Sequence, residues 1–363
     1  MMKIAFITRS TLHAVPGGDT VQIMQTARHL EKLGVTIDLY GADERIDYRQ
    51  YDLLHCFNIT RPADLLYHIK KSKRPVAVST ILIDYFDFDR QFRQGLPGLM
   101  LKTLPNGTNE YVKTVARWIL RKDKLPGKSF LWKGQKRSIR EILNRADWLL
   151  PNSEAEYRQI ENQYGIKKNY SVVYNGINEN VFRYQPGYKK NDRLVVCAAR
   201  IEGRKNQLNL IRALNNTEFT LLLTGQPAPN QLRYYEECKR IAGRNIIFCG
   251  RVPIKTLARY YQQSKVHVLP SWHETCGLSS LEAAAMGCNL VITDKGFTRE
   301  YFGDHAFYCD PADPVSIYKA VQLASDTESN QIFRNKVLKE FTWERAAATT
   351  YNAYQNILST CRN

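Results

Sequence analysis

The chain opens on a compact apolar run, Lys3-Ile-Ala-Phe-Ile-Thr8, turns at Pro16-Gly17-Gly18, and resumes with apolar residues at helical spacing over 19–30. The pattern predicts strand, glycine loop, helix. Short runs of β-branched and large apolar residues at 35–40, 53–57 and 76–80 predict three more strands. A strand ending in cap chemistry follows at 146–153, and another ending in a turn at 171–176. Beyond the polar stretch 184–192, whose Pro, Gly and charged residues have linker composition, the alternation restarts. Strands are expected at 194–198, 220–225, 246–250, 266–270 and 289–294, with an apolar-periodic helix at 208–214. Strands alternating with helices make parallel sheets. The expectation is an α/β chain of two Rossmann-like, doubly wound domains facing a cleft.

Length agrees with that division, since 363 residues exceed what one hydrophobic core usually serves. The expected limits are 1–185 for the first domain, 186–344 for the second, and 345–363 for a last helix. Hydrophobic residues at 44% and charged residues at 24% are ordinary for a globular protein, and no apolar run approaches the roughly 20 residues of a membrane-spanning helix. The first residues read as a strand rather than a signal peptide, so the expected location is cytoplasmic. Eight scattered cysteines form no C-x-x-C pair and no Cys/His cluster, and are expected to be reduced and mostly buried.

Charge changes the picture. A net +17 implies an anionic partner: nucleic acid, a phospholipid surface or a phosphorylated substrate. Much of the excess lies in 90–140, where acids are scarce and Trp118, Phe130 and Trp132 are interleaved with Lys and Arg. Peripheral attachment to an anionic membrane is the preferred reading of that stretch, and an ordinary amphipathic helix pair is the alternative. No RNA- or DNA-binding motif accompanies the charge, so nucleic acid is not expected as a partner.

Ligands of open α/β sheets sit outside the carboxyl ends of the strands, where helix starts hold phosphates. Two loops there carry candidate chemistry. Arg200-Ile201-Glu202-Gly203-Arg204-Lys205 can aim Arg200 and Lys205 at one diphosphate, and a solvated basic turn is the alternative. In Pro270-Ser271-Trp272-His273-Glu274-Thr275-Cys276-Gly277-Leu278-Ser279-Ser280, a helix is expected to start near Gly277. Backbone N–H groups of Gly277, Leu278 and Ser279 would receive a phosphate, while Glu274 and Glu282 accept hydrogen bonds from sugar and ribose hydroxyls. Paired Glu residues alone are usually solvated surface. Combined with Gly277, the small-residue stretch 283–287 and the following strand, they carry information.

These segments, with 146–178, resemble the nucleotide-sugar glycosyltransferases of the GT-B fold, specifically the large retaining group called family four. The resemblance runs from the glycine loop to Phe341-Thr342-Trp343-Glu344-Arg345, after which the family's last helix crosses back onto the first domain. It implies Arg200 and Lys205 on the donor diphosphate, Glu282 on the ribose, and Glu274 beside the donor sugar. Gly277, Leu278 and Ser279 match backbone positions that hold phosphate and sugar, and Cys276 stands where the family usually has an aromatic residue. Gly17 and Gly18 match the first-domain loop near the phosphates, and Arg251 and Val252 follow Gly250 in the segment flanking the base. The implied co-substrate is a UDP- or GDP-sugar with no resident cofactor, and the implied acceptor is a glycan or lipid-linked hydroxyl, with retention at the anomeric carbon.

In one place the chain departs from the family. Where members carry a His after the fourth strand of the first domain, this chain has Ser79-Thr80-Ile81-Leu82-Ile83-Asp84-Tyr85, and Asp84 is the candidate replacement. Asp87-Phe88-Asp89 spells a metal motif outside the matching context, so metal-independent transfer is expected, with Arg200, Lys205 and helix N–H groups neutralising the leaving group. His13, His55 and His273 read as bystanders, and Cys276 as a small buried hydrophobe. Two rival readings remain at this stage. One is a catalytically idle binder of anionic polymers, the other a nucleotide-sugar epimerase or a phosphorylase on the same fold.

Overall fold

The computed structural model describes residues 2–83, 128–185 and 187–360, and only the backbone of 128–132. Asp84, Asp87, Asp89, Trp118 and Cys361 lie outside the described residues, as does most of the basic stretch 90–140. The described chain forms two compact units: 1–175 together with 343–363, and 176–342.

The first unit is built on β1 (Lys3–Thr8), β2 (Thr36–Gly41), β3 (Leu53–Phe57), β4 (Val76–Ser79) and β5 (Trp148–Leu150), all parallel, in spatial order β2-β1-β3-β4-β5. Ile4, Ala5, Phe6 and Ile7 are all fully buried, because helices cover both faces of a parallel sheet. Those helices are α1 (Gly18–Lys32), α2 (Pro62–Ser72), α3 (Lys128–Arg145), interrupted at Gly134, and α4 (Glu154–Tyr164). The expected strand at 171–176 is instead an extended edge: Ser171 N–H donates to Leu149 O and Val173 N–H to Pro151 O, but only Tyr170 makes a bridge.

The second unit holds β6 (Asn191–Ala198), β7 (Thr220–Thr224), β8 (Ile246–Gly250), β9 (Ser264–Leu269), β10 (Asn289–Thr293) and β11 (Phe307–Cys309), again parallel. Their spatial order is β11-β10-β9-β6-β7-β8. Its helices are α5 (Gln207–Leu214), α6 (Leu232–Ile241), α7 (Ile254–Gln263), α8 (Leu278–Ala285), α9 (Thr298–Phe302), α10 (Pro314–Asp326) and α11 (Gln331–Glu340). β11 is too short to announce itself in the sequence. The stretch read as a linker is docked on this unit: Gln185 and Gln262 exchange hydrogen bonds, and Lys190 Nζ donates to the carbonyls of Tyr261 and Ser264 at 2.7 and 3.0 Å. Loop composition therefore concealed a half-buried lysine that caps the end of α7.

The last helix, α12 (Trp343–Thr360), belongs to the first unit, where it packs on α1. Its Tyr354 hydroxyl meets His55 Nδ1 at 2.6 Å, and Ser79 Oγ meets the other ring nitrogen at 2.8 Å. Burial pushes the His55 imidazole down to about 3, so it is a neutral strut of the core. Six described cysteines are buried, Cys249 is half-buried, and all of these are free thiols. Among the described residues no helix is long and apolar enough to cross a membrane.

Candidate functional site

In the second unit, chain order reverses between β6 and β9, which lie side by side while their successors run outward in opposite directions. A crevice at the carboxyl ends of such a pair is where open α/β sheets take ligands. The two candidate loops leave the sheet at this point. The turn Gly203–Lys205 follows β6, and the segment ending in α8 follows β9.

Several bonds join the loops. Trp272 N–H donates to Arg204 O at 3.0 Å, and the buried Asn206, at φ +61°, donates from Nδ2 to Pro270 O and Pro311 O at 3.1 and 2.7 Å. Gly225 lets the exits of β6 and β7 touch, for a Cβ there would lie 2.0 Å from Ala199 O. The Glu274 backbone is held from the other side: its N–H donates to Lys295 O at 3.2 Å and its carbonyl accepts from Phe297 N–H at 2.9 Å. Between those partners Gly296 sits at φ +84°, where a Cβ would come within 2.1 Å of Glu274 O. With its backbone so fixed, the Glu274 carboxylate forms an ion pair with Lys205 Nζ. Arg200 is more open, 41% exposed at its side chain, and reaches Glu202 at 3.3 Å.

Gly277, at φ +66°, turns the chain into α8, whose first residues Leu278 and Ser279 have N–H groups that the helix does not use. Beneath this turn His267 Nε2 meets Ser280 Oγ at 3.0 Å, and burial pushes the imidazole down to about 3. Cys276 is buried, in keeping with a packing role. Glu282 lies one turn into the helix. Among the described residues its carboxylate has no hydrogen-bond or ion-pair partner, and burial pushes it up to about 8. A desolvated acceptor with no protein donor is an arrangement that a ligand's hydroxyls would complete.

Residues 178–339 match the family described as Glycosyl transferases group 1. The match lies wholly within the second unit. Among curated relatives, the chain is 28% identical over 210 residues to an uncharacterised glycosyltransferase of Methanocaldococcus jannaschii, covering 51% of this chain and 53% of the relative. It is 24% identical to D-inositol 3-phosphate glycosyltransferase of Nocardioides, over 59% of this chain and 55% of that one. With O-antigen chain mannosyltransferase B of Escherichia coli it shares 32% identity, over 43% and 44% of the two chains. In these matches the chain spans about half the length of the curated relatives. Among solved structures, sucrose-phosphate synthase of Thermosynechococcus elongatus superposes with a TM-score of 0.77 at 15% identity, covering 99% of this chain and 100% of that one. HepE of Anabaena, in complex with UDP-glucose, gives 0.66 at 16% identity over 100% of both. At these identities the likeness establishes the GT-B fold.

Of the candidates, Arg200, Lys205, Glu274, Cys276, Gly277, Leu278, Ser279 and Glu282 gather around the β6/β9 crevice. Arg251 and Val252 follow β8, two strands away at the sheet edge. Gly17 and Gly18 start α1 in the first unit, with Gly17 as the N-cap. Sequence reasoning missed two organisers of these loops. Arg9, just past β1, takes Asp19 in a forked contact at 2.7 and 3.1 Å and also donates to Thr11 O and Val15 O, so it shapes the whole approach to Gly17. Asn206 is the other. Its signal was a left-handed-tolerant residue directly after Lys205. His273 packs edge-on against Phe297.

Proposed function

We propose that the chain transfers a hexose from a nucleoside-diphosphate sugar to a hydroxyl of a glycan or lipid-linked acceptor, with retention, in the synthesis of a surface polysaccharide. The observation that carries the reading is Glu282, desolvated and with no partner among the described residues, beside the open start of α8, with the Lys205–Glu274 pair at the same crevice. In this reading the diphosphate lies on the Leu278 and Ser279 N–H groups, and Arg200 and Lys205 neutralise it. A lysine has three donors, so Lys205 can serve a phosphate while still holding Glu274. Glu274 positions the sugar and Glu282 takes the ribose hydroxyls. Leaving-group charge is then neutralised by the chain's own groups, and no metal is required for it.

The sugar's anomeric carbon–oxygen bond to the diphosphate breaks, and the acceptor oxygen bonds to the same face of that carbon. The acceptor's proton passes to the departing phosphate oxygen. Uridine is the preferred base, because HepE, a structure of the same fold, is described in complex with UDP-glucose; a GDP-sugar is the alternative. The first unit takes the acceptor and Asp84 assists it. Lys136, Arg137, Arg140 and Arg145 stand exposed on α3 and supply the charge for peripheral contact with an anionic membrane face in the cytoplasm.

Nucleotide release from a panel of UDP- and GDP-sugars, with and without acceptor, tests the proposal. Glu282→Ala removes hydrogen bonds to a charged acceptor, each about 1.5–3 kcal/mol, and should lower kcat/KM by about tenfold to several hundredfold. Lys205→Ala should act at least as strongly. Donor turnover at the wild-type rate in either variant would refute the site.

A further inference from the structure

We infer that Glu156 is a positioning residue for transfer, whose carboxylate holds the exit of β4 in a conformation that the exit would not keep alone. The inference rests on the acceptor role proposed for the first unit. Glu156 is completely buried, on the first turn of α4. One carboxylate oxygen accepts from the Thr80 hydroxyl at 2.5 Å and from Leu82 N–H at 2.7 Å, and the other accepts from Asn152 N–H at 2.8 Å. Between Thr80 and Leu82 lies Ile81, at φ +45° and only 3% exposed.

A β-branched residue in the left-handed region is a true outlier, costing on the order of 1–3 kcal/mol, and it persists only where its surroundings over-determine it. Glu156 supplies that determination, because it grips the chain on both sides of Ile81. The clamp reaches further. Asn152 exchanges side-chain hydrogen bonds with Gln22 at 2.8 and 3.3 Å, and Gln22 lies on α1 just past the glycine loop. One buried polar network therefore ties the exits of β4 and β5 to the start of α1. Such a network is a costly way to fill a core, and a glycine at 81 would make the same turn without strain. Both expenses fall at the carboxyl end of an interior strand, where α/β sheets bind ligands. The physical account that covers them together is that the β4 exit must be held in one place for the acceptor.

The test is Glu156→Gln, whose amide accepts on one side only and turns an N–H₂ toward a donor on the other. Transfer kcat should fall on the order of a hundredfold, as for misplacements of about 1 Å, with the donor KM unchanged. Amide exchange at Leu82 should accelerate. Adding Ile81→Gly, which lets the exit adopt its turn without a clamp, should recover about tenfold of the loss. If Glu156→Gln does not fold, Thr80→Val removes one of the clamp's bonds and should lower kcat by about fivefold, again without touching donor KM. Wild-type kcat in Glu156→Gln or Thr80→Val, a loss that falls on donor KM, or no recovery with Ile81→Gly would each overturn the inference. A wild-type chain releasing no nucleotide from any donor refutes the glycosyltransferase reading before any variant is made. A loss confined to the variants of an active wild type bears on the clamp alone.

Discussion

Replacing Glu282 by Gln should stabilise the folded chain at high pH while weakening its hold on the donor. Burial holds this carboxyl near about 8 in place of the ordinary 4.5. In that window the folded chain keeps a proton that the unfolded chain has lost, so stability falls as pH rises from 4.5 through 8 and is flat beyond. Each pH unit withdraws about 1.4 kcal/mol, and ionising Glu282 in place costs up to about 5 kcal/mol. The figure is an upper bound, since the side chain is half-buried and recovers some water on ionising. A glutamine of the same shape does not titrate. Urea unfolding of both proteins at about pH 5 and about pH 9 should show nearly equal stabilities at the lower pH and a more stable variant at the higher. Donor binding should move the other way, weakening by at least about tenfold for a lost charged acceptor. Donor binding by the wild type near neutral pH should also release a proton, because ribose hydroxyls favour the ionised carboxylate. Calorimetry in buffers of different ionisation enthalpy reads that proton directly. A stability difference that does not change with pH, or a variant less stable at the higher pH, would refute the reasoning.

Other consequences follow from residues outside that carboxylate. Gly296→Ala forces a Cβ against Glu274 O, where 2.1 Å is available, and should shift the loop and cost donor turnover on the order of a hundredfold, read as nucleotide release. Tyr354→Phe removes the hydroxyl that meets His55 and should cost about 1–2 kcal/mol in denaturant unfolding, by detaching α12 from the sheet. His55 is held far below its ordinary 6.5, so the unfolded chain gains a proton that the folded chain refuses. Its contribution is complete above pH 6.5 and is lost as pH falls toward about 3, and acid unfolding should begin earlier than in a His55→Gln variant.

Much of this protein was legible in the chain itself. Parallel strands buried on both faces must be written as unbroken apolar runs, so Lys3–Thr8 and Leu53–Phe57 stood out with correct limits. The helix start at Gly277 was equally plain, because a glycine before a small-residue helix is local chemistry. What depends on contacts between distant segments was not legible. The docking of 184–190, the short strand β11 and the edge at 171–176 have loop-like or ambiguous composition, and only their partners decide their state. The same division runs through the candidate site. Sequence alone placed Arg200, Lys205, Glu274 and Glu282 on loops and a helix start of the right kind. Tertiary structure decided that Lys205 pairs with Glu274 while Glu282 has no partner among the described residues, that Asn206 and Arg9 shape the loops, and that Glu156 grips a strained Ile81. Periodicity and caps are encoded between neighbours a few residues apart, whereas pairing and desolvation are set by groups brought together from far along the chain.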